Sequence, residues 1–309
     1  MKPLMNREQL YLVTRHLNLF SSEEQARKKV VVQTDQAGAE ALVVAYISPK
    51  GRYRQLFENS IKVHSYVAMH LFRSVWEREL GQCIADLICS DISELKKHIL
   101  WARLAKLIAS SDDWPPSRRY YYMAKMICHA CNYGMKARTF VINLLKKSEG
   151  QIMLAEKVAH QFIEMYHSLF PEIRRRHLEV INQLDKDRTL YNLFGDRRIF
   201  NGHWDDTLHR SAIAFTPQST VGCLTSYAID EIQDQIDAGN PEYSGIDILA
   251  NWHDAIFSQV TIGGEQRLAT IHERHLGKTF LANTENQFTM KSESSWGFNG
   301  YELQKLKNN

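Results

Sequence analysis

The apolar residues of this chain follow two rhythms. Val30-Val31-Val32 opens a run of strand length that continues through Gln33 and Thr34 to Asp35. "AEALVVAYI" follows with helical spacing, so Asp35 is expected near a strand end, at or just before a turn. Residues 57–110 keep helical periodicity throughout, as in Val67, His70, Leu71 and Val75. "SSDDWPPS" stops it, because two prolines cannot continue a helix. Ser117 is then the expected N-cap of a helix over 118–132. A further helix is expected over 150–184, and "LFGDRRIFNG" reads as a hairpin with a Gly-Asp turn. Helical spacing returns over 208–236 and 263–280. Between them "DILANWHDAIFSQV" reads as a strand or hairpin, and "NQFTMKSESSW" alternates like a final strand. Residues 1–28 read as a polar helix ending in "SSEEQARKK". Strand, long helical insertion, then strands and helices again predict an α+β fold split by a helical domain.

Bulk composition changes this picture little. A chain of 309 residues, 44% hydrophobic and 24% charged, has room for one large or two ordinary domains with a real core. No run of 18 apolar residues exists, and "MKPLMNREQLYLV" lacks the apolar core of a signal peptide, so a cytoplasmic location is expected. Five cysteines, an odd number, suggest free thiols. Charge is unevenly spread. Lys96 to Lys147 holds eleven Lys or Arg against Asp112 and Asp113, in a chain whose total is only +3. Such a stretch is either a set of solvated helix faces or a surface for an anionic partner, and charge alone does not separate the two.

The candidate chemistry starts from an oddity. His253-Asp254 interrupts the apolar run "ILANWHDAIFSQV", and a carboxylate buried in a strand is costly unless paired or bound to a metal. Asp35 also sits in a strand context, and a divalent cation would relieve the repulsion of two adjacent carboxylates. Two metals about 3.5–4 Å apart are the usual arrangement for in-line phosphoryl transfer. On the helix after Ser117, the residues Arg118, Lys125, His129 and Tyr133 fall on one face. A cationic and aromatic face suits a triphosphate followed by a base. A solvated basic face with Tyr133 packed inside explains the same spacing. Cys128-x-x-Cys131 with His129 has no second half, so no zinc is expected there. "PEIRRRHLEV" (171–180) reads as a solvated face before a phosphate contact.

These segments together resemble the family A, Pol I-like DNA polymerases. "KMICHACNYGM" (125–135) is similar to the family's fingers-helix motif, and "TDQAGAEALVVAYIS" to its motif A. "NWHDAIF" resembles motif C, and "HRSAIAFTPQST" the palm helix that carries Arg and Gln eight apart, here Arg210 and Gln218. "FENSIKVHSYVAMHLF", "NLFGDRRIFNG" and "MKSESSWGFNGYE" match further segments, and all seven occur in family order. The resemblance implies a palm, an antiparallel sheet with helices, interrupted by helical fingers. It places palm at 1–66, with motif A at 31–48, fingers at 67–206, and palm again at 207–309, with motif C at 248–260. It implies addition of dNTPs to a primer 3′-hydroxyl with two Mg2+ ions held by Asp35 and Asp254, their carboxylates within about 5 Å of each other. Lys125 would meet the triphosphate. Glu40, His64, Arg118, Arg119, His129 and Tyr133 would surround the nucleotide, with Glu40 obstructing a ribose 2′-hydroxyl. Tyr133, Gly134, Arg210, Gln218 and His253 would touch the primer–template.

The sequence departs from the family pattern in places. Tyr121 stands where the family has Arg, with Arg118 and Arg119 as substitutes; His129 stands for Phe or Tyr, Ala255 for Glu, and Ala214 for Asn. These departures suggest a divergent viral or mobile-element lineage in a bacterial cell. Only 34 residues precede Asp35, so a thumb and an exonuclease are expected to be absent: either a separate chain supplies them, docking near residues 1–30 over Leu10, Leu12, Leu17 and Phe20, or this is a minimal or truncated polymerase. The alternative is a non-catalytic nucleic-acid-binding or scaffolding relative of the fold. A metal-dependent nuclease also pairs Asp residues but has no need of Lys125 and Tyr133.

Overall fold

The computed structural model describes residues 29–283, 286–298, 300 and 302–306. The helix and the partner-docking segment expected within residues 1–28 lie outside the described residues. The chain divides into two compact units. The first contains the residues up to Glu40, Asn192–Asp196, and those from Pro217 on; the second contains Ala41–Tyr191 and Arg197–Thr216.

In the first unit, β1 (Lys29–Gln36) is the middle strand of a five-stranded antiparallel sheet. The others are β4 (Asp247–Trp252), β5 (Ala255–Thr261), β8 (Ser292–Gly297) and β9 (Gln304–Lys305), in the order β4-β5-β1-β8-β9. Val30, Val31 and Val32 are all fully buried, as a strand covered on both faces requires. The helix Glu265–Leu276 packs on one face, against β1, β5 and β8. On the other face Val31, Ala255 and Phe257 form a small core with Leu249, Ala250, Trp252 and Leu303. The segment "NQFTMKSESSW", expected as one strand, is two. Asn286–Thr289 (β7) pairs with Thr279–Asn283 (β6) in a separate ribbon, and only β8 joins the large sheet.

The second unit is helical apart from a small hairpin. Its helices are α1 (Ala39–Ile47, which starts in the first unit), α2 (Arg52–Glu58), α3 (Val63–Leu71), α4 (Arg73–Leu80), α5 (Ala85–Cys89), α6 (Ile92–Leu95) and α7 (Trp101–Ser110). They continue with α8 (Tyr120–Asn132), α9 (Ala137–Lys147), α10 (Glu156–Leu169) and α11 (Pro171–Asp187). The expected single helix over 150–184 is α10 and α11, because Pro171 cannot extend α10 and instead starts α11. Ser117 caps nothing. Pro116–Arg118 forms a 3-10 turn, and α8 begins two residues later at Tyr120. The hairpin joins β2 (Thr189–Tyr191) to β3 (Arg197–Ile199) around Gly195 at φ 88°.

The unit boundaries fall at Glu40 and Thr216, earlier and later than the expected 66 and 206. Side chains explain the first shift. Val44, Ala45, Tyr53, Leu56, Ile61, Val63 and Tyr66 are buried in the helical core, alongside Trp76, Leu104, Ile127, Phe140 and Phe170. A polar chain crosses that core. Tyr166 donates to Asn132 Oδ1 at 2.7 Å, and Asn132 Nδ2 donates to the Tyr53 hydroxyl at 2.8 Å. Glu172 Oε1 accepts the Tyr53 N–H at 2.6 Å.

Helix α12 (Asp206–Asp237) is shared by the two units and contains Pro217; the last helix, Glu265–Leu276, is α13. Proline has no N–H to give the Ile213 carbonyl one turn earlier. The guanidinium of Arg176, only 3% exposed, supplies that donor at 2.8 Å. Burial lowers the Arg176 pKa to about 10, so it stays charged at neutral pH. Replacing Arg176 by Met should therefore destabilise the protein by ~1–3 kcal/mol, the usual cost of an orphaned buried acceptor. Pro217→Ala restores a backbone donor and should recover part of that loss. A double-mutant cycle in urea measures it, and additive effects would refute the link.

Burial also lowers the pKa of His64, His70, His167 and His177 to about 4, and that of His272 to about 3, from an ordinary value of 6.5. Below pH 6.5 the unfolded chain takes up protons that the folded chain refuses. Stability should fall as pH drops from 6.5 toward 4, by about 1.4 kcal/mol per pH unit for each such histidine. Urea midpoints at pH 7.5, 6 and 5 check this; equal midpoints would contradict it.

Candidate active site

Strand alternation separates Thr34 from Asp35. Thr34 points to the buried face of the sheet, and Asp35 points to the other, where it is exposed. Its cross-strand partners are Ala255 on β5 and Glu293 on β8. Trp252 pairs with Ala255, so His253 and Asp254 form a two-residue turn between β4 and β5. Asp254 is thus not buried inside a strand, as the apolar run suggested. It stands at a hairpin tip with its side chain 41% exposed, where a carboxylate keeps water. His253 has φ 60°, a conformation that glycine usually takes in such turns and that His tolerates better than most residues.

The turn is tied to the end of β1. The Gln36 N–H donates to the Asp254 carbonyl at 2.9 Å. The Thr225 hydroxyl, on α12, lies 3.0 Å from the His253 carbonyl and 3.1 Å from that of Val221, and Gln36 Nε2 donates to Thr225 at 2.7 Å. Asp35 and Asp254 consequently line one cavity of about 230 Å3, with Gln33, Trp252, Ala255, Phe257 and Gly300. Glu40, in the first turn of α1, lies with Oε1 3.7 Å from His253 Nε2, and His253 Nδ1 is 3.9 Å from Asp254 Oδ1. Gly38, at φ 61°, makes the bend between β1 and α1 that brings Glu40 there.

Among the described residues, no group of three or more His, Cys, Asp or Glu could hold a metal ion by itself. The pair still fits Mg2+, which is commonly held by one or two carboxylates and completes its shell with water and substrate phosphates. Ala255, 1% exposed, adds no third ligand.

The fold has known parallels. This is a polymerase-like fold. The chain is similar to a solved structure described as the POL domain of Pol1 from M. smegmatis in complex with DNA primer-template and dNTP. The TM-score is 0.60 at 17% identity, over 88% of this chain and 40% of that one. No protein-family model matches the sequence, and no curated protein does.

In the second unit, α3 packs on α8 and brings several predicted residues together. The His64 ring meets Tyr121 edge-on at 5.8 Å, and His129 meets Tyr133 at 5.0 Å. Burial is the main cause of the low His64 pKa, and Lys125, Lys62 and His129 lower it further. Lys125 and His129 are exposed one turn apart on α8. Tyr133 differs from expectation. It is 7% exposed and packed into the helical core, so it offers no open stacking face. Gly134 follows at φ 67°, where a Cβ would lie 3.3 Å from the Ile213 side chain.

Arg118 and Arg119 precede α8 instead of sharing its face with Lys125, because the prolines before them force a 3-10 turn. Arg118 donates to Glu79 at 2.6 Å and lies over Trp114; Arg119 pairs with Asp112 and lies over Tyr122. Arg210 pairs with Asp206, and Gln218 is half-buried just after Pro217. Cys128 and Cys131 are buried, and burial raises both thiol pKa values well above normal, as for packed thiols. Sequence reasoning missed Gln36 and Thr225. Gln36 had a signal in its place beside Asp35, but nothing in the sequence puts Thr225 beside the His253 turn.

Because Asp254 is at an exposed tip, Asp254→Asn should leave the unfolding midpoint within about 0.5 kcal/mol of wild type. The same variant should lose most Mn2+ binding, read by electron paramagnetic resonance. A large loss of stability would mean that the carboxylate is a structural partner.

Proposed function

We propose that this chain is a template-directed DNA polymerase core that adds dNTPs to a primer 3′-hydroxyl by two-metal-ion nucleotidyl transfer. The observation that carries the reading is the cavity shared by Asp35, on β1, and Asp254, in the turn that leads into the adjoining β5, within a polymerase-like fold. The solved neighbour was captured with primer-template and dNTP, which favours the same ligand classes here. In the reaction the 3′-oxygen bonds to the α-phosphorus, the bond to pyrophosphate breaks, and the hydroxyl proton leaves to solvent. Asp35 and Asp254 would hold Mg2+ ions, which when bound acidify the hydroxyl and offset charge on the leaving pyrophosphate.

The chain's own residues have separable tasks in this reading. Lys125 offers the triphosphate a point charge. His64, neutral at pH 7, offers one N–H donor. Glu40, beside His253, obstructs the sugar 2′ position. Arg210 and Gln218 would touch minor-groove acceptors that every base pair presents alike. The engagement of Arg118 and Arg119 with Glu79 and Asp112 leaves Lys125 as the leading phosphate contact on α8. The lineage in phage or mobile elements, and a partner chain that supplies thumb or exonuclease, rest on the sequence reading alone.

Primer extension with Mg2+ and dNTPs is the test. Asp35→Asn and Asp254→Asn should each reduce incorporation by ~10^3-fold or more, a loss of several kcal/mol of charge stabilisation. Glu40→Ala should narrow the preference for dNTPs over NTPs. If DNA is gripped through few phosphates, extension by the chain alone should be distributive, with log K changing by about 0.9 per phosphate per log unit of salt. DNA binding that persists with no incorporation under any divalent metal would favour the non-catalytic relative, for which the buried Ala255 in place of a carboxylate is the specific observation.

A further inference from the structure

Directly behind Asp35, on the opposite face of the sheet, lies a buried polar chain that the reading above does not use. His272, on α13, is fully buried. Its Nδ1 lies 2.9 Å from Thr34 Oγ1, and its Nε2 lies 3.0 Å from Ser258 Oγ. Thr34 Oγ1 lies 2.9 Å from Ser294 Oγ, and Ser294 Oγ donates to Glu273 Oε1 at 3.2 Å. The three hydroxyls come from the adjacent strands β5, β1 and β8, the strands that meet around Asp35.

The carboxylate at the end fixes the direction of every proton. An ionised carboxylate only accepts, so the single Ser294 proton goes to Glu273. Ser294 must then accept from Thr34, and Thr34 must accept from His272. That makes Nδ1 the protonated nitrogen and leaves Nε2 to accept the Ser258 proton. A neutral imidazole is required, and burial, which lowers its pKa to about 3, keeps it neutral. His272, Thr34 and Ser294 each use one donor and one acceptor in sequence, between Ser258 as the first donor and Glu273 as the last acceptor, so no strand can slide without breaking a buried hydrogen bond.

We propose that His272 is a positioning residue for the Asp35–Asp254 pair: through Thr34 and Ser258 it fixes β1 against β5, and so sets the carboxylate spacing that a divalent cation meets. This rests on the reading of that pair as the metal site. A packed core histidine would be needed for stability only. A positioning histidine also tunes metal affinity, where loss of an outer partner typically costs 10–100-fold.

The test uses the full chain with primer–template. Mn2+ binding is followed by electron paramagnetic resonance, beside the Mg2+ dependence of single-nucleotide incorporation, the KM for dNTP and thermal unfolding. His272→Leu and the milder Thr34→Val should each weaken Mn2+ binding 10–100-fold and raise the Mg2+ half-saturation by the same factor, with KM for dNTP unchanged. His272→Asn can place an amide N–H where Nδ1–H stands and should recover most of the affinity. Folded Thr34→Val with wild-type Mn2+ affinity would overturn the proposal, whatever its unfolding temperature. Wild-type protein that binds no Mn2+ would overturn the metal reading and this proposal together, while binding that is lost in Asp254→Asn but kept in Thr34→Val would overturn this proposal alone.

Discussion

Strand β1 is hydrogen-bonded along both edges, to β5 on one side and β8 on the other, and this double pairing is the constraint on which the candidate site depends. A strand held on both edges cannot shift by one residue without turning every side chain to the wrong face. Val30, Val32 and Thr34 would lose their place against α13, and Asp35 would enter the core. The cost of burying that carboxylate keeps the register. The β4–β5 hairpin then inherits its position from β1, because its turn is bonded to Gln36. The spacing of the two carboxylates therefore starts from backbone pairing, with side chains of Gln36 and Thr225 as local ties and the His272 chain, in the proposal above, as the brace behind the sheet.

The second unit solves a different problem. Its helices are mostly short and few have side-chain caps, so packing of apolar faces has to hold them. Buried polar groups within that packing are connected. Asn132 links Tyr53 and Tyr166 at the last turn of α8, and its carbonyl lies 3.0 Å from His177 Nε2. The end of the helix that carries Lys125 and His129 is thereby fixed. Arg176 has a similar place, since the carbonyl that it satisfies exists unpaired only because of Pro217. A proline and an arginine 41 positions apart in sequence thus form one structural feature.

The second unit leaves cations in two classes. Lys97, Arg118, Arg119 and Lys136 have carboxylate partners, which explains part of the basic stretch as internal pairing. Such exposed pairs are worth ~0–1 kcal/mol each, so their chief effect is on where a positive charge can reach. Lys125 stands exposed on α8 beside His129, which keeps its charge available to an anion.

Sequence alone determined the α+β order, the place of Asp35 near the end of β1, the β2–β3 hairpin, and the long helix with Pro217 inside it. These are local matters: apolar period, turn residues and proline chemistry act over a few positions. The ordered resemblance also picked out Asp35 and Asp254 together. Only the tertiary structure decided that Asp254 stands at a turn, that Tyr133 is buried, and that Arg118 and Arg119 are occupied by Glu79 and Asp112 respectively. It alone joined His272 to Thr34, Ser258 and Ser294. Each of these depends on residues far apart in sequence meeting with defined hydrogen-bond geometry or charge, and neither spacing nor composition encodes which distant partner a side chain will meet.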